Sequence, residues 1–399
     1  MADEFQTKAL NPTVVKLGLV SFFADVASEM LYPVTPIFLT TVLGASMSTL
    51  GLIEGIAEAI ASLLKTYSGS WSDSISKRKP FIIIGYFLGA ISKPLIGLST
   101  NWIHVLAARS IDRMGKGIRS APRDALISDS VASANRGAAF GWHRSMDTAG
   151  AATGPLLAIV LLSINPGDLR SLYYWALIPG VLSVFIILSI RESKAVHSPI
   201  KKWENPLKTW NHSSSEFKKY IFAWGFFCLA NSSDVFLLMK AKSAGLSLTS
   251  VILVFCLYNL IYSFSSPSLG KLSDTTDRRK ILMLGLSIYA LVYIGFALAN
   301  QIWHFWILFG IYGFYMAATD GVGKALAIDL TPAHLKATGI GILGTVTGFC
   351  TIVASVVAGL IWDHLGSSWT FFFGAAGAIA AIIMLLSNLK RPLQKLADI

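Results

Sequence analysis

The stretch RSIDRMGKGIRSAPRDALISD, residues 109–129, places five cations in a segment with the length and setting of a membrane helix. At about 100° per residue, Arg109, Arg113, Lys116, Arg119 and Arg123 fall within roughly one third of a helix circumference. The opposite face stays apolar. An Arg or Lys at mid-depth in hydrocarbon costs at least about 2.5–3.5 kcal/mol. Such a stripe must therefore face water, carboxylates or an anionic ligand.

Carboxylates are at hand. SFFADVASEM carries Asp25 and Glu29 four residues apart on one helix face, and GLIEGIAEA carries Glu54 and Glu58 at the same spacing, with Lys65 further along. HRSMD adds His143, Arg144 and Asp147. A carboxylate among apolar walls holds its proton more tightly, and a nearby Arg loosens it. A change of shape that swaps those neighbours would link proton binding to movement. Asp25 and Glu58, then Glu29 and Glu54, are the expected proton-coupling residues. Arg109, Arg113, Lys116, Arg144 and Asp147 are expected to modulate charge or to bind an anionic solute. Beyond residue 200 the ionic residues at depth are few: Asp234 and Asp320, expected like the first-half set to bind substrate or modulate charge, and Lys324.

The elements that must position these groups are helices. The chain is 54% hydrophobic and 14% charged, where soluble domains carry about 25% charged residues. Apolar runs long enough to cross about 30 Å of hydrocarbon recur along its whole length. They are continuous rather than alternating, which argues against a β-barrel. Twelve spanning helices are expected at about 14–41, 49–69, 80–99, 102–128, 138–163, 172–190, 218–240, 248–269, 280–299, 302–329, 337–361 and 368–388. The polar segment RESKAVHSPIKKWENPLKTWNHSSSEFKK divides them six and six. The expected organisation is a bundle over 1–190, a cytoplasmic linker over 191–217 and a second bundle over 218–399.

With both termini cytoplasmic, the outer segments hold only Arg170, Lys240 and Lys242, and the inner ones most of the remaining loop Lys and Arg. This positive-inside bias assigns the net charge of +11 to loops beside anionic lipid rather than to nucleic acid. MADEFQTKALNP carries acids before its first base, so no secretory leader is expected. Cys228, Cys256 and Cys350 fall in apolar runs as packing residues, and no metal, haem or cofactor spacing is present.

The halves repeat. Offset by 201 positions, ASMSTLGLIEGIAEAIASLLKTYSGSWSDSISKRK aligns without a gap on LSLTSVILVFCLYNLIYSFSSPSLGKLSDTTDRRK, pairing Gly44 with Gly245, Gly69 with Gly270, Asp73 with Asp274 and Arg78 with Arg279. Further on, an offset of 200 pairs Asp129 with Asp329. Six helices per half keep both copies in one orientation, a parallel duplication. Glu54 and Glu58 align with Phe255 and Asn259, and Arg144 and Asp147 with Gly344 and Thr347. The fold does not need these charges, so the first half is expected to hold the coupling machinery and the second to be mainly an apolar wall.

GSWSDSISKRK and GKLSDTTDRRK resemble the loop signature of the major facilitator superfamily. Gly69, Asp73, Lys77 and Arg78, and again Gly270, Asp274, Arg278 and Arg279, fill its positions, while Ser76 and Asp277 stand where the family usually has Gly. The resemblance implies two six-helix bundles that rock around a central cavity, with the loop residues acting as a conformational latch. Arg109, Gly115 and Gly117 loosely resemble the family's second motif. DTAGAATGP resembles its antiporter motif through Gly150, Gly154 and Pro155, but Ala158 and Ile159 replace the final glycines.

The expected fold class is an all-α polytopic membrane protein of twelve transmembrane helices in two pseudo-symmetric bundles. The expected function is secondary active transport by alternating access, as proton-coupled export of a small amphipathic organic molecule by a drug/proton-antiporter-like member. The alternative is a proton-coupled symporter or exchanger of an anionic solute, such as an organic acid, a phosphate ester or a siderophore. Phosphate-binding loops, nucleophile elbows and metal clusters are lacking, so no enzyme activity is expected. The expected partners are a small-molecule substrate, protons and the lipid bilayer of a bacterial inner membrane, with the chain acting as a monomer.

Overall fold

The computed structural model describes residues 11–75, 77–132, 135–190, 210, 213–331 and 336–388. The expected linker, 191–217, lies largely outside them. Among the described residues the regular structure is helical. The first half comprises α1 (Pro12–Glu29), α2 (Met47–Ile75), α3 (Lys79–Gly97), α4 (Trp102–Asp129), α5 (Arg136–Ile164), α6 (Leu169–Trp175) and α7 (Leu177–Leu188). The second comprises α8 (Ser215–Cys228), α9 (Val235–Ser243), α10 (Leu248–Thr275), α11 (Arg278–Leu298), α12 (Ile302–Asp329), α13 (Lys336–Leu365) and α14 (Ser367–Asn388).

Nine of the described spans, α6 and α7 counted as one, are long and apolar enough to cross a membrane. The expected passes outside that set have local reasons. α1 carries Lys16, Asp25 and Glu29 within 18 residues, and α4 carries the basic stripe. The seventh pass is broken into α8 and α9. Three passes expected as continuous are therefore interrupted. The first stops at Glu29, and a helical turn at Thr35–Ile37 leads into a π-helical turn over Phe38–Val42. Pro33 and Pro36 explain the break, since proline removes a backbone donor and clashes with the preceding turn. The seventh is interrupted at the polar run Asn231-Ser232-Ser233-Asp234, whose side chains compete for backbone hydrogen bonds. The sixth kinks at Ala176, between α6 and α7.

The chain divides into two compact units, residues 1–45 with 56–203, and residues 46–55 with 204–399. In unit one α1 packs on α5 and α7, and α3 packs on α4 and α7. Val14, Leu17, Val20, Ile82, Tyr86, Leu126, Ile127 and Ile187 form its apolar core. In unit two α10 and α11 pack on α12, and α11 packs on α14. An aromatic cluster fills its interior: Tyr289 stacks on Tyr293 with centroids 3.9 Å apart, and Phe227, Tyr315 and Tyr312 surround the pair. The duplication is visible in backbone detail. Gly44 and Gly245, paired by the 201 offset, both end a helical segment at positive φ, 64° and 98°, a conformation that costs a side chain strain.

Candidate functional site

The basic stripe of α4 does not share one environment. Arg109 and Arg119 are buried, Arg113 and Arg123 are half-buried, and Lys116 is exposed. Asn101 caps the helix start through the His104 amide. Two glycines then let α4 approach its neighbours. A Cβ on Gly115 would lie 2.5 Å from the Gly85 carbonyl of α3, and one on Gly117 2.8 Å from the Ala61 carbonyl of α2. The α3 contact brings in two charged residues outside the expected set. Lys93 Nζ of α3 lies 2.5 Å from Asp112 Oδ1 of α4 and also donates to Ser28 Oγ of α1 at 3.2 Å. Ser92 Oγ donates to the same Asp112 oxygen at 3.3 Å, and Arg113 Nε lies 3.5 Å from Oδ2. Arg119 packs over the Tyr86 ring, 4.2 Å from its centroid. Ser28, Tyr86, Lys93, Arg119 and Ser183 line a small cavity between α1, α3, α4 and α7.

The α1 carboxylates stand beside this cluster. Glu29 is within electrostatic reach of Lys116, Arg113, Arg109 and Lys93, and Asp25 of Asp147, Glu29, Arg119 and Lys116. Lys116 also feels Glu58, which is exposed on α2. The structure thus brings Asp25, Glu29, Glu58, Arg109, Arg113, Lys116 and Asp147 together in unit one. Glu54 is placed elsewhere: it is buried, falls in unit two, and is within electrostatic reach of Asp234. The reason is the small-residue face of α2, where Gly51 packs on the Ser355 backbone and Gly55 on the Ile352 backbone of α13.

The α1–α5 contact is a glycine seam. A Cβ on Gly150 would lie 2.5 Å from the Phe22 carbonyl and 3.0 Å from Asp25 Cβ; one on Gly154 would lie 2.7 Å from the Val26 carbonyl and 2.8 Å from the Met30 nitrogen. Pro155 is buried beside them, and Arg144 is exposed on the same helix. In the two turns before the seam, His143 Nδ1 lies 3.5 Å from Asp147 Oδ2, and His143 Nε2 is 2.9 Å from Ser21 Oγ of α1. Arg123 of α4 donates to Ser21 Oγ at 3.4 Å and to Asp124 Oδ1 at 2.9 and 3.0 Å.

Unit two is less bland than an apolar wall. Asp234 receives the Tyr312 hydroxyl at 2.6 Å and the Tyr258 hydroxyl at 3.2 Å. Asp320 receives Tyr262 at 2.9 Å and Lys324 at 2.6 Å. Cys228 and Cys256 are buried and Cys350 half-buried, all as free thiols. Among the described residues no group of three His, Cys, Asp or Glu is placed to hold a metal.

The duplicated loops form matching ion pairs. Arg78 Nε lies 3.7 Å from Asp129 Oδ2 and donates to Ser72 Oγ at 2.7 Å; Arg278 Nε lies 2.7 Å from Asp329 Oδ2, with Asp274 at 2.9 Å. The partner of Arg78 across the repeat is therefore Arg278, although the ungapped alignment pairs it with Arg279. Gly69 is half-buried and packs near Ala121, Lys77 is exposed, Gly270 has open space around it, and the Asp73 side chain lies outside the described residues. Asp277, standing where the family has Gly, caps α11 through the Arg279 amide. Partial burial pushes its carboxyl up, but hydrogen bonds from the Arg279 side chain at 2.6–3.1 Å and from its amide prevail and hold it below the ordinary 3.8.

A profile of the Major Facilitator Superfamily matches residues 17–241 and 222–398. An uncharacterized MFS-type transporter of Methanocaldococcus jannaschii is 32% identical over 385 residues, 95% of this chain and 95% of that protein. The class H tetracycline resistance protein of Pasteurella multocida is 32% identical over 139 residues, 34% of this chain and 33% of its own. The nucleoside transporter NupG shares the fold, with a TM-score of 0.79 at 13% identity over 95% of this chain and 100% of that one. With the profile spanning almost all of the sequence and a full-length relative at this identity, the protein belongs to the Major Facilitator Superfamily and is a transporter.

Proposed function

We propose that the transporter exports a small amphipathic organic molecule in exchange for protons. One observation carries the reading: Asp25 and Glu29 sit on the face of α1 that packs on the Gly150–Gly154 seam of α5, within electrostatic reach of the α4 cations. Movement of α1 against α4 and α5 changes the charges these carboxylates meet, and with them their hold on a proton. Rocking between two arrangements then links proton uptake on one side to substrate release on the other. The partial likeness to a tetracycline resistance protein supports export of an amphipathic compound. The loop pairs Arg78–Asp129 and Arg278–Asp329 act as the latch. The positive-inside bias supports cytoplasmic termini, and on this reading the chain works as a monomer in the cytoplasmic membrane.

Exchange of an anionic solute is the second reading. It is favoured by Lys116, which is exposed next to half-buried Arg113. Sealed vesicles loaded with a panel of fluorescent amphipathic cations and of organic anions separate the two. Export predicts dye movement driven by an opposing proton gradient and lost in Asp25→Asn. The anion reading predicts organic-anion exchange lost in Lys116→Ala. Proton-dependent transport that survives both Asp25→Asn and Glu58→Gln overturns the proton assignment.

A further inference from the structure

We propose that Asp25 and Asp147 share one proton across the α1–α5 seam, and that His143 is the positioning residue that sets how tightly the pair holds it. The inference rests on the proton-coupled reading above and names a second carboxylate and a regulator for it.

The geometry comes from three contacts. Asp147 Oδ1 is buried and has no hydrogen-bond partner among the described residues, while Oδ2 faces His143. Asp147 stands one turn before Gly150, where the α5 backbone meets Asp25 so closely that a Cβ would be 3.0 Å from Asp25 Cβ. Among side-chain charges, Asp147 is the strongest neighbour that Asp25 feels. Two carboxylates this placed do not both ionise readily, and a bare buried acceptor is costly. A single proton between them relieves both, taking the pair from two negative charges to one.

The tautomer of His143 follows from donor accounting. Arginine only donates, so Ser21 Oγ accepts from Arg123 at 3.4 Å. The one Ser21 hydrogen is then free to go to His143 Nε2 at 2.9 Å. An ionised Asp147 Oδ2 can only accept, which assigns the hydrogen of the neutral imidazole to Nδ1 and leaves Nε2 to accept from Ser21. Charged and titratable groups face this centre from each side: Arg144 on α5, Arg123 and Asp124 on α4, Asp25 with Glu29 on α1, and Arg119 and Lys116 on α4 beyond Asp25. Tyr86 of α3 stands beside Arg123. The His143 donor favours ionised Asp147, so its loss tightens the grip on the shared proton.

The test is an acid titration of the full chain in nanodiscs, read by infrared spectroscopy with isotope-labelled aspartate. Wild type is expected to gain a protonated-carboxyl band from the pair whose midpoint falls in both Asp25→Asn and Asp147→Asn, because each variant removes the neighbouring negative charge. His143→Phe is expected to raise proton affinity about tenfold, the scale of one pKa unit, and Ser21→Ala to move it in the same direction by less. Imidazole nitrogen NMR is expected to report the Nδ1–H tautomer; should His143→Phe fail to fold, Ser21→Ala and this tautomer carry the test. A midpoint that Asp147→Asn leaves in place, one that His143→Phe or, failing its folding, Ser21→Ala leaves in place, or an Nε2–H tautomer overturns the inference. The proton-coupled reading fails separately, if Asp25→Asn transports with unchanged pH dependence.

Discussion

Lys93 Nζ and Asp112 Oδ1 meet at 2.5 Å between α3 and α4, with side-chain exposures of only 6% and 11%. Removing one partner of a buried pair leaves the other charge uncompensated, at about 3–5 kcal/mol. Lys93→Met and Asp112→Leu are each expected to destabilise on that scale. The double variant is expected to recover most of the loss, because it buries no lone charge. Thermal unfolding of the four proteins in one detergent closes the cycle. A double variant as unstable as the sum of the singles would mean that the two residues are not coupled and that each acts through its other partners.

The glycine seam gives a steric prediction. Gly150→Leu forces α5 away from Phe22 and Asp25, with overpacking that costs about 1–3 kcal/mol. Transport is expected to fall more than stability, since Asp25 moves with the seam. Gly141 lies on the same helix with nothing within 4 Å of a built Cβ. Gly141→Ala is expected to stabilise by about 0.5–1 kcal/mol. Paired unfolding and vesicle transport measurements check both.

Asp277 predicts an acid limb in stability. Its carboxyl is held below the ordinary 3.8 against the pull of burial, because Arg279 binds the charged form. A depressed folded value means that the contribution is fully present above the unfolded value and is lost as pH falls through the folded one. Wild type is therefore expected to be more stable than Asp277→Asn at neutral pH, with the two curves converging in strong acid. Unfolding midpoints across that range are the measurement. Curves that stay parallel would show that the difference does not come from the charge on Asp277, since Asn caps a helix about as well.

Asp234 is held by two tyrosines of unequal reach, Tyr312 at 2.6 Å and Tyr258 at 3.2 Å. Stripping a partner from a buried polar group costs about 1–3 kcal/mol. Tyr312→Phe is expected near the top of that range and Tyr258→Phe nearer the bottom. Asp234→Asn in the Tyr312→Phe background is expected to cost less than in wild type. Denaturation in a fixed detergent reads all three.

Helix extents were legible because they are set by local composition: 102–128 became Trp102–Asp129, and 302–329 was matched by Ile302–Asp329. The breaks were less so. Pro33 and Pro36 explain the break in the first pass, and the interruption at Asn231–Asp234 depends on polar side chains that an apolar window averages away. The basic stripe was visible, yet its burial was not. Arg109 and Lys116 share a helix face but differ in exposure, because neighbouring helices cover one and not the other. Asp112 lies on that same face, at about 60° from Arg109, and its spacing was a usable signal. Lys93 had none, since its partner is on another helix. The repeat register slipped for a similar reason: a one-residue difference in the loop leaves the sequence match intact while handing the ion pair from Arg279 to Arg278.

The charge carried by α4 bears on how the protein is made. A helix with Arg109, Asp112, Arg113, Lys116 and Arg119 near its middle meets a penalty of about 2.5–3.5 kcal/mol per ionic residue on entering lipid alone. Its neighbours upstream are α3, through Lys93 and Gly85, and α2, through Ala61. Nascent α4 is therefore expected to enter the bilayer as a pair with α3, which leaves the ribosome first.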